Sequence, residues 1–544
     1  MSAMHLRLTL PPRSEAPVSG IELRPAEVER WLTSLPMLNL AETTQQLTRY
    51  LTGLNRSSLD DRQRLQLLEL FRGPVQHISR ELARTYVGLP LPLPDRVRMA
   101  AQQVRQMQTE MAYGYKLVTF NSTAMARLDD RDKAWLAVAI QRAIRYLTGL
   151  LFRHYEIYTP PPEGTWYEIH QLFRYAEMLN VVNLPIADKL NQTVAESSVG
   201  HAYKQALLLD FSDPYHLPAR MLDRIHHYLD RYASLADLTP GVIALKPHCQ
   251  FLINLDNDRA GAINTESSPI TTEVRYRLLN TTELARTVHQ QFQTLKTGQQ
   301  PETQGLDKDF FLHIGVDLLA RLINAWGINP KRMFTRQTRT GFKMEAVFGV
   351  EAINYYVNGG EPFSPSTSEV GPMPRKVAIG AATGSTNKVA QAEKARISVW
   401  ELADESAGGY ALARNDAPEE PVRVGDLMAT RAQDGGHWEI GSVRWVRASG
   451  ADSVEIGIQR LAPGAQAVAL MPVEDDQDRH FLALALPEVK AVKQPPTLVS
   501  ARGFFKPGRI LSLDNGYRTR QVRASTLVEL TGAFERFQYE TISD

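Results

Sequence analysis

From about residue 22 to residue 330, apolar side chains recur at the three- and four-residue spacing of helices buried along one face. Leu136, Ile140, Ile144, Leu147 and Leu151 form one such stripe, while Arg142, Arg145 and Arg153 lie off it and read as a solvated face. Leu65, Leu68 and Phe71 form another. Ser58 and Asp61 stand before them at capping-box spacing, where a side-chain oxygen satisfies an open first-turn amide. A helix is predicted over 166–179, after Pro160, Pro161 and Pro162, and a last one from Phe310 to Trp326, stopped by Gly327 and Pro330. Short connectors between such helices predict helical hairpins. The run 240–275 interrupts them, with Val242, Ile243 and Leu245, then Phe251, Leu252 and Ile253, reading as short strands.

Past Pro330 the periodicity changes. Lys343–Val350, Arg396–Leu402, His437–Val446 and Val454–Gln459 are rich in β-branched and aromatic residues with turn chemistry between them. Several short strands in about 130 residues favour a small barrel, because closure removes exposed edges. A Pro/Gly-rich stretch at 358–392 reads as an insertion between strands. Residues 475–544 continue in β style, with Asn515-Gly516 as a hairpin turn. The expected fold class is an α+β multidomain chain. A flexible lead (1–21) precedes a mainly α-helical region of helical hairpins (22–330), an antiparallel β-barrel (331–474) and a β-rich C-terminal extension (475–544).

Composition narrows the function classes. The 544 residues carry a net charge of +1, so bulk electrostatics predict no binding to DNA or RNA. The single cysteine, Cys249, excludes an internal disulfide and a cysteine-rich zinc site. The most apolar helical stretch, Trp135–Phe152, contains Gln141, Arg142 and Arg145, too polar for a spanning segment. The N-terminus lacks a signal-like apolar core. A cytoplasmic protein with no membrane insertion is expected.

Two short motifs flank the start of the barrel. Arg332 and Arg336, with Arg339 close behind, leave the last helix on an extended segment; Asp404, Ser406 and Gly409 stand at a strand end. Guanidiniums close over phosphodiesters and offer paired donors to the O6/N7 edge of guanine. A carboxylate accepts from guanine N1 and N2 donors, a nearby hydroxyl reaches base or phosphate, and glycine clears space for a flat base. These requirements suit a guanine nucleotide diester better than a simple phosphate.

With these residues in order, the region from about 332 to 470 resembles a PilZ domain, whose pattern is RxxxR before a six-stranded barrel and [DN]xSxxG on it. Ile440–Val446 and Val454–Gln459 are similar to the family's later strands. The resemblance implies binding of cyclic di-GMP, a bacterial second messenger, through Arg332, Arg336, Asp404, Ser406 and Gly409, with Arg339 an accessory phosphate contact. It covers about a quarter of the chain. The 68 residues between Arg336 and Asp404 exceed the family's usual spacing. The α-helical region is then expected to answer the ligand by presenting or hiding a surface for an unidentified protein partner. The competing reading is a constitutive helical scaffold or chaperone-like interaction protein whose barrel binds nothing, since fold alone does not fix function.

Other signals carry less. Gly380 to Lys388 resembles a phosphate loop but lacks its Gly-Lys-Ser/Thr ending. The thirteen histidines form no metal box, so no metal or cofactor is expected, and no acid, base and nucleophile set points to an enzyme. Cys249 reads as an inert buried thiol. Tyr155, Tyr158, Trp166, Tyr167 and Phe173, around the triple proline, read as core.

Overall fold

The computed structural model describes residues 6–12, 21–125, 128–191, 193–241, 248–263, 273–298, 308–327, 337–338, 341–366, 396–416, 420–450, 452–473, 480–490 and 493–542. The chain divides into two units, residues 1–89 with 93–331 and residues 90–92 with 332–544.

The first unit is helical. Its helices include Pro25–Ser34, Leu40–Arg56, Asp61–Ala83, Asp95–Asn121, Asp130–Tyr155, Thr165–Met178, Val199–Phe211, Met221–Tyr232, Thr282–Lys296 and Lys308–Trp326, the last broken at Gly315 (φ +73°). Helix Asp130–Tyr155 buries the expected stripe of Leu136, Ile140, Ile144, Leu147 and Leu151. Its arginines correct the expected solvated face. Arg142 is 2% exposed, and its Nη1 lies 2.9 Å from the equally buried Asp188, with Glu69 3.2 Å from Nε. Arg72 meets Asp188 at 2.6 Å, Arg145 at 3.8 Å, and Arg153 pairs with buried Glu156 at 2.8 Å. Burial pushes the Asp188 carboxyl up, but Arg142 and Arg72 outweigh it and hold it below the usual carboxylate range. The helix is buried on several sides, and distant carboxylates make that tolerable for its cations.

Helix Asp61–Ala83 is capped by Asp60, which accepts from the amides of Arg62 and Gln63; the expected cap at Ser58 is not used. The adjacent carboxylate reaches the open amides and complements the helix dipole. Within the lead, Leu6 is buried and the Thr9 amide donates to Glu168 Oε1 at 2.5 Å, so that stretch is docked rather than flexible. Strands Asp237–Pro240, Tyr276–Asn280, Gln250–Asn254 and Ala262–Ile263 form an antiparallel sheet in that order, which includes the Phe251–Ile253 strand. Val242, Ile243 and Leu245 lie outside the described residues. Tyr155, Tyr158, Trp166 and Phe173 are core, and Tyr167 is half-buried. Cys249 is half-buried, with its thiol donating to the Gly327 carbonyl at 3.2 Å.

The second unit is two barrels. Its strands are β1 (Gln337–Thr338), β2 (Lys343–Phe348), β3 (Ser398–Ser406), β4 (Gly409–Arg414), β5 (Leu427–Ala432), β6 (Glu439–Ala448), β7 (Val454–Ala462), β8 (Gln466–Pro472), β9 (Phe481–Leu486), β10 (Thr497–Ser500), β11 (Ile510–Asp514), β12 (Thr519–Leu530) and β13 (Glu535–Thr541). Antiparallel pairing in the order β4-β7-β6-β5-β2-β3, with β3 returning to β4, closes the first ring, and β1 adds to β3. The second ring is β8-β9-β10-β13-β12-β11. The C-terminal extension is therefore a barrel in its own right. It starts at Gln466, inside the span expected for the first barrel, because among the described residues β8 pairs with β9 and β11 and with no strand of the first ring. Asn515-Gly516 forms the β11–β12 turn as expected: Gly516 has φ +84° and the Asn515 side chain accepts from the Tyr517 and Arg518 amides.

Between the rings lies helix Val350–Val357, which sequence patterning did not single out. Val350 and Ile353 join Val347, Leu427 and Ile440 of the first ring and Leu484, Val499 and Phe534 of the second in one apolar cluster. Asn354, fully buried, donates through Nδ2 to the Val468 and Ala483 carbonyls at 3.1 and 2.7 Å. The start of the expected insertion is tied down. Phe363 is buried, and Ser366 donates its amide to the buried Asp514 at 2.8 Å. Residues 367–395, including Gly380–Lys388, lie outside the described residues.

Candidate functional site

The acid–hydroxyl–glycine motif falls on the β3–β4 hairpin. Along β3, Ser398, Trp400 and Leu402 point inward and Val399 and Glu401 outward, the alternation a half-buried strand demands. One extra residue then breaks it: Ala411 pairs with Asp404 but Leu412 pairs with Leu402, leaving Ala403 as a bulge. A bulge re-aims the strand beyond it. Past the bulge, Asp404 and Ser406 share one face and Glu405 the other.

Ser406 closes the turn, its Oγ donating to the Gly409 carbonyl at 3.0 Å. Gly409 has a different reason from the expected clearance for a base. A Cβ there would stand 2.0 Å from the Ile458 carbonyl oxygen, so glycine is what lets β4 lie against β7. Asp404 and Ser406 are both half-buried.

β1 joins this corner. Gln337 pairs with Glu405, and Thr338 with Asp404. In the sequence Arg336 precedes Gln337 and Arg339 follows Thr338. Arg332, Arg336 and Arg339 themselves lie outside the described residues.

Motif reading missed a residue that makes several contacts with the hairpin. Arg460, near the end of β7, extends Nη2 to Glu405 Oε1 at 2.6 Å, Nη1 to the Ser406 carbonyl at 2.8 Å and Nε to Glu439 Oε2 at 3.1 Å. Its guanidinium lies over the Tyr410 ring, 5.1 Å from the centroid. Partial burial works against the Arg460 charge, but the Glu405 and Glu439 bonds outweigh it and raise its pKa above the usual arginine value. Tyr410 is bonded to the Thr430 hydroxyl, and burial pushes its phenol up to about 12. The available sequence signal was Tyr410 directly after the motif glycine; Arg460 becomes its neighbour only through the β4–β7 register, where Gly409 pairs with Gln459. The corner thus combines an acid, a hydroxyl, exposed turn backbone and a stacked cation, a set suited to holding a polar, planar ligand rather than to breaking bonds.

Comparison with known proteins finds family models that match most of the chain between residues 26 and 542. A model described as the N-terminal domain of the cyclic-di-GMP receptor FimW matches residues 26–241. That receptor's middle PilZ domain matches residues 250–376 and 369–467, and its C-terminal beta-barrel domain matches residues 467–542. A Pseudomonas aeruginosa protein named cyclic-di-GMP receptor FimW is 27% identical over 592 residues, spanning 99% of this chain and 94% of that protein. No solved structure matches the chain. The change of model at residue 467 coincides with the start of the second ring at β8. No helix of the described residues is long and apolar enough to cross a membrane.

Proposed function

Because this chain belongs to the family those three domain models describe, with its PilZ domain in the middle, we propose that it is a receptor, not an enzyme, and that its ligand is cyclic di-GMP. Asp404 accepts from the guanine N1 and N2 donors, and the Ser406 hydroxyl and turn backbone contact base or phosphate. Arg332 and Arg336 close over the phosphodiester ring and the O6/N7 edge, with Arg339 as an accessory phosphate contact. The observation that carries this reading is the β1 pairing, Thr338 with Asp404. Covalent continuity keeps Arg336 and Arg339 next to β1, the strand paired with the acid corner on β3, despite 68 residues of sequence between Arg336 and Asp404.

Titration calorimetry with cyclic di-GMP tests it. The wild type binds, and Asp404→Ala, Arg332→Ala or Arg336→Ala each lowers affinity by roughly tenfold to over a hundredfold, the effect of removing one charged hydrogen-bond partner. Equal affinity in all four proteins rejects the site. No binding by the wild type returns the chain to the scaffold reading.

The segment 328–336 joins helix Lys308–Trp326 to β1. Ligand that engages it therefore acts on the stretch of chain leading to the helical unit, and the helical unit is the part that meets a protein partner. A ligand biases such a coupling only through its differential affinity for the two arrangements. Hydrogen exchange across the helical unit should change when cyclic di-GMP saturates the barrel. Unchanged exchange there would leave the helical unit uncoupled from the ligand.

A further inference from the structure

The corner assigned to cyclic di-GMP is built from residues that restrict their own backbone little. Ser406, Ala407, Gly408 and Gly409 form a two-residue turn with small side chains and two adjacent glycines, the composition with most backbone freedom to lose on binding. Besides the strand pairing and the Ser406 Oγ bond to the Gly409 carbonyl, several polar restraints on it converge on one residue. Arg460 donates to the Ser406 carbonyl and to Glu405, its own amide donates to the Gly408 carbonyl at 3.1 Å, and its guanidinium stacks on Tyr410. Four of the six positions from 405 to 410 are thereby tied to one residue of the neighbouring strand. Glu439, on β6, takes Nε and fixes the guanidinium from the far side.

We propose that Arg460 is the positioning residue of this site: it holds the Asp404–Gly409 corner in its binding geometry before ligand arrives. The role rests on the cyclic di-GMP reading above. Arg460 is 28% exposed and bonded to two carboxylates and a carbonyl, so three of its five N–H donors are committed to the protein, one from each nitrogen. Its planar fork explains why arginine stands there, since a lysine ammonium cannot span Glu405, Ser406 and Glu439 while lying flat on a ring.

The test pairs a ligand-free readout with a binding one, on full-length Arg460→Ala, Arg460→Lys and the wild type. Amide exchange over residues 404–410 without ligand should quicken in Arg460→Ala. Affinity for cyclic di-GMP should fall about tenfold with stoichiometry unchanged, and Arg460→Lys should recover part of both. Stoichiometry and the far-ultraviolet spectrum report whether each variant is folded, which separates positioning from simple destabilisation. Unchanged exchange in Arg460→Ala overturns the proposal, and so does faster exchange with wild-type affinity. A wild type that binds no cyclic di-GMP refutes the receptor reading, and the positioning role falls with it; the ligand-free exchange data tell that failure from the other two.

Discussion

In the helical unit, Asp188 is 1% exposed beside Arg72, Arg142 and Arg145, and His170 is fully buried between the Tyr203 hydroxyl and the Arg259 carbonyl. In the two-barrel unit the shared interior around Ile353, Leu484 and Phe534 is apolar, and Arg460, Glu405 and Glu439 gather at a hairpin with 28–37% of their side chains exposed. The difference separates charge enclosed by its partners from charge left partly exposed at a hairpin. A buried cation enclosed by partners fixes the approach of two elements and has no face left for a ligand. A partly exposed cluster, set on strands that apolar burial already holds, can order backbone that a ligand meets.

The contrast is broken most severely at its two centres. Phe534→Ala removes a ring from the cluster both barrels share and should cost about 3–5 kcal/mol, read as a lower melting transition of the two-barrel unit with the helical transition unmoved. If only the second barrel melts early, the two rings do not share a core in the energetic sense. Asp188→Ala leaves buried guanidiniums without their carboxylate and should cost about 3–5 kcal/mol in the helical unit. Cyclic di-GMP affinity should stay at the wild-type value, and a loss of binding there would join what the comparison separates.

Acid should sharpen the same distinction. Burial pushes the His170 imidazole from 6.5 down to about 4, and His201 and His154 likewise. The folded chain therefore keeps these rings neutral while the unfolded chain protonates them. Their contribution is complete above about pH 6.5 and is lost as pH falls toward 4, with His170 alone worth about 3 kcal/mol. In the two-barrel unit, burial raises Asp426 to about 6, so its effect has the opposite sign: stability there declines as pH rises from about 4 toward 6. Urea unfolding at pH 4.5 and 7 should show the helical unit weakened at the lower pH and the barrels much less so.

How much of this was legible follows the range of each interaction. Runs of β-branched and aromatic residues revealed β2, β3, β6 and β7, and Asn515-Gly516 marked its turn, because those signals are local. The acid, hydroxyl and glycine of the second motif fall on one hairpin, as their closeness in the sequence requires. Helix Val350–Val357 was missed because it follows a strand directly and is apolar on the faces that two different barrels cover. The solvated reading of Arg142 failed because its partner Asp188 is 46 residues away on another element. Arg460 was invisible for the same reason: only the β4–β7 register brings it to the turn. Gly409 was picked out, but for a ligand's sake, whereas the Ile458 carbonyl is what excludes a side chain there.

The central claim is that the arginine segment and the acid corner meet one ligand. Hydrogen exchange of the full chain, with and without saturating cyclic di-GMP, tests it directly by following residues 331–340 and 404–410 together. The account predicts slower exchange in both segments with a common midpoint in ligand concentration, and loss of both protections in Asp404→Ala. Protection of one segment without the other, or protection of 331–340 that survives in Asp404→Ala, would contradict it.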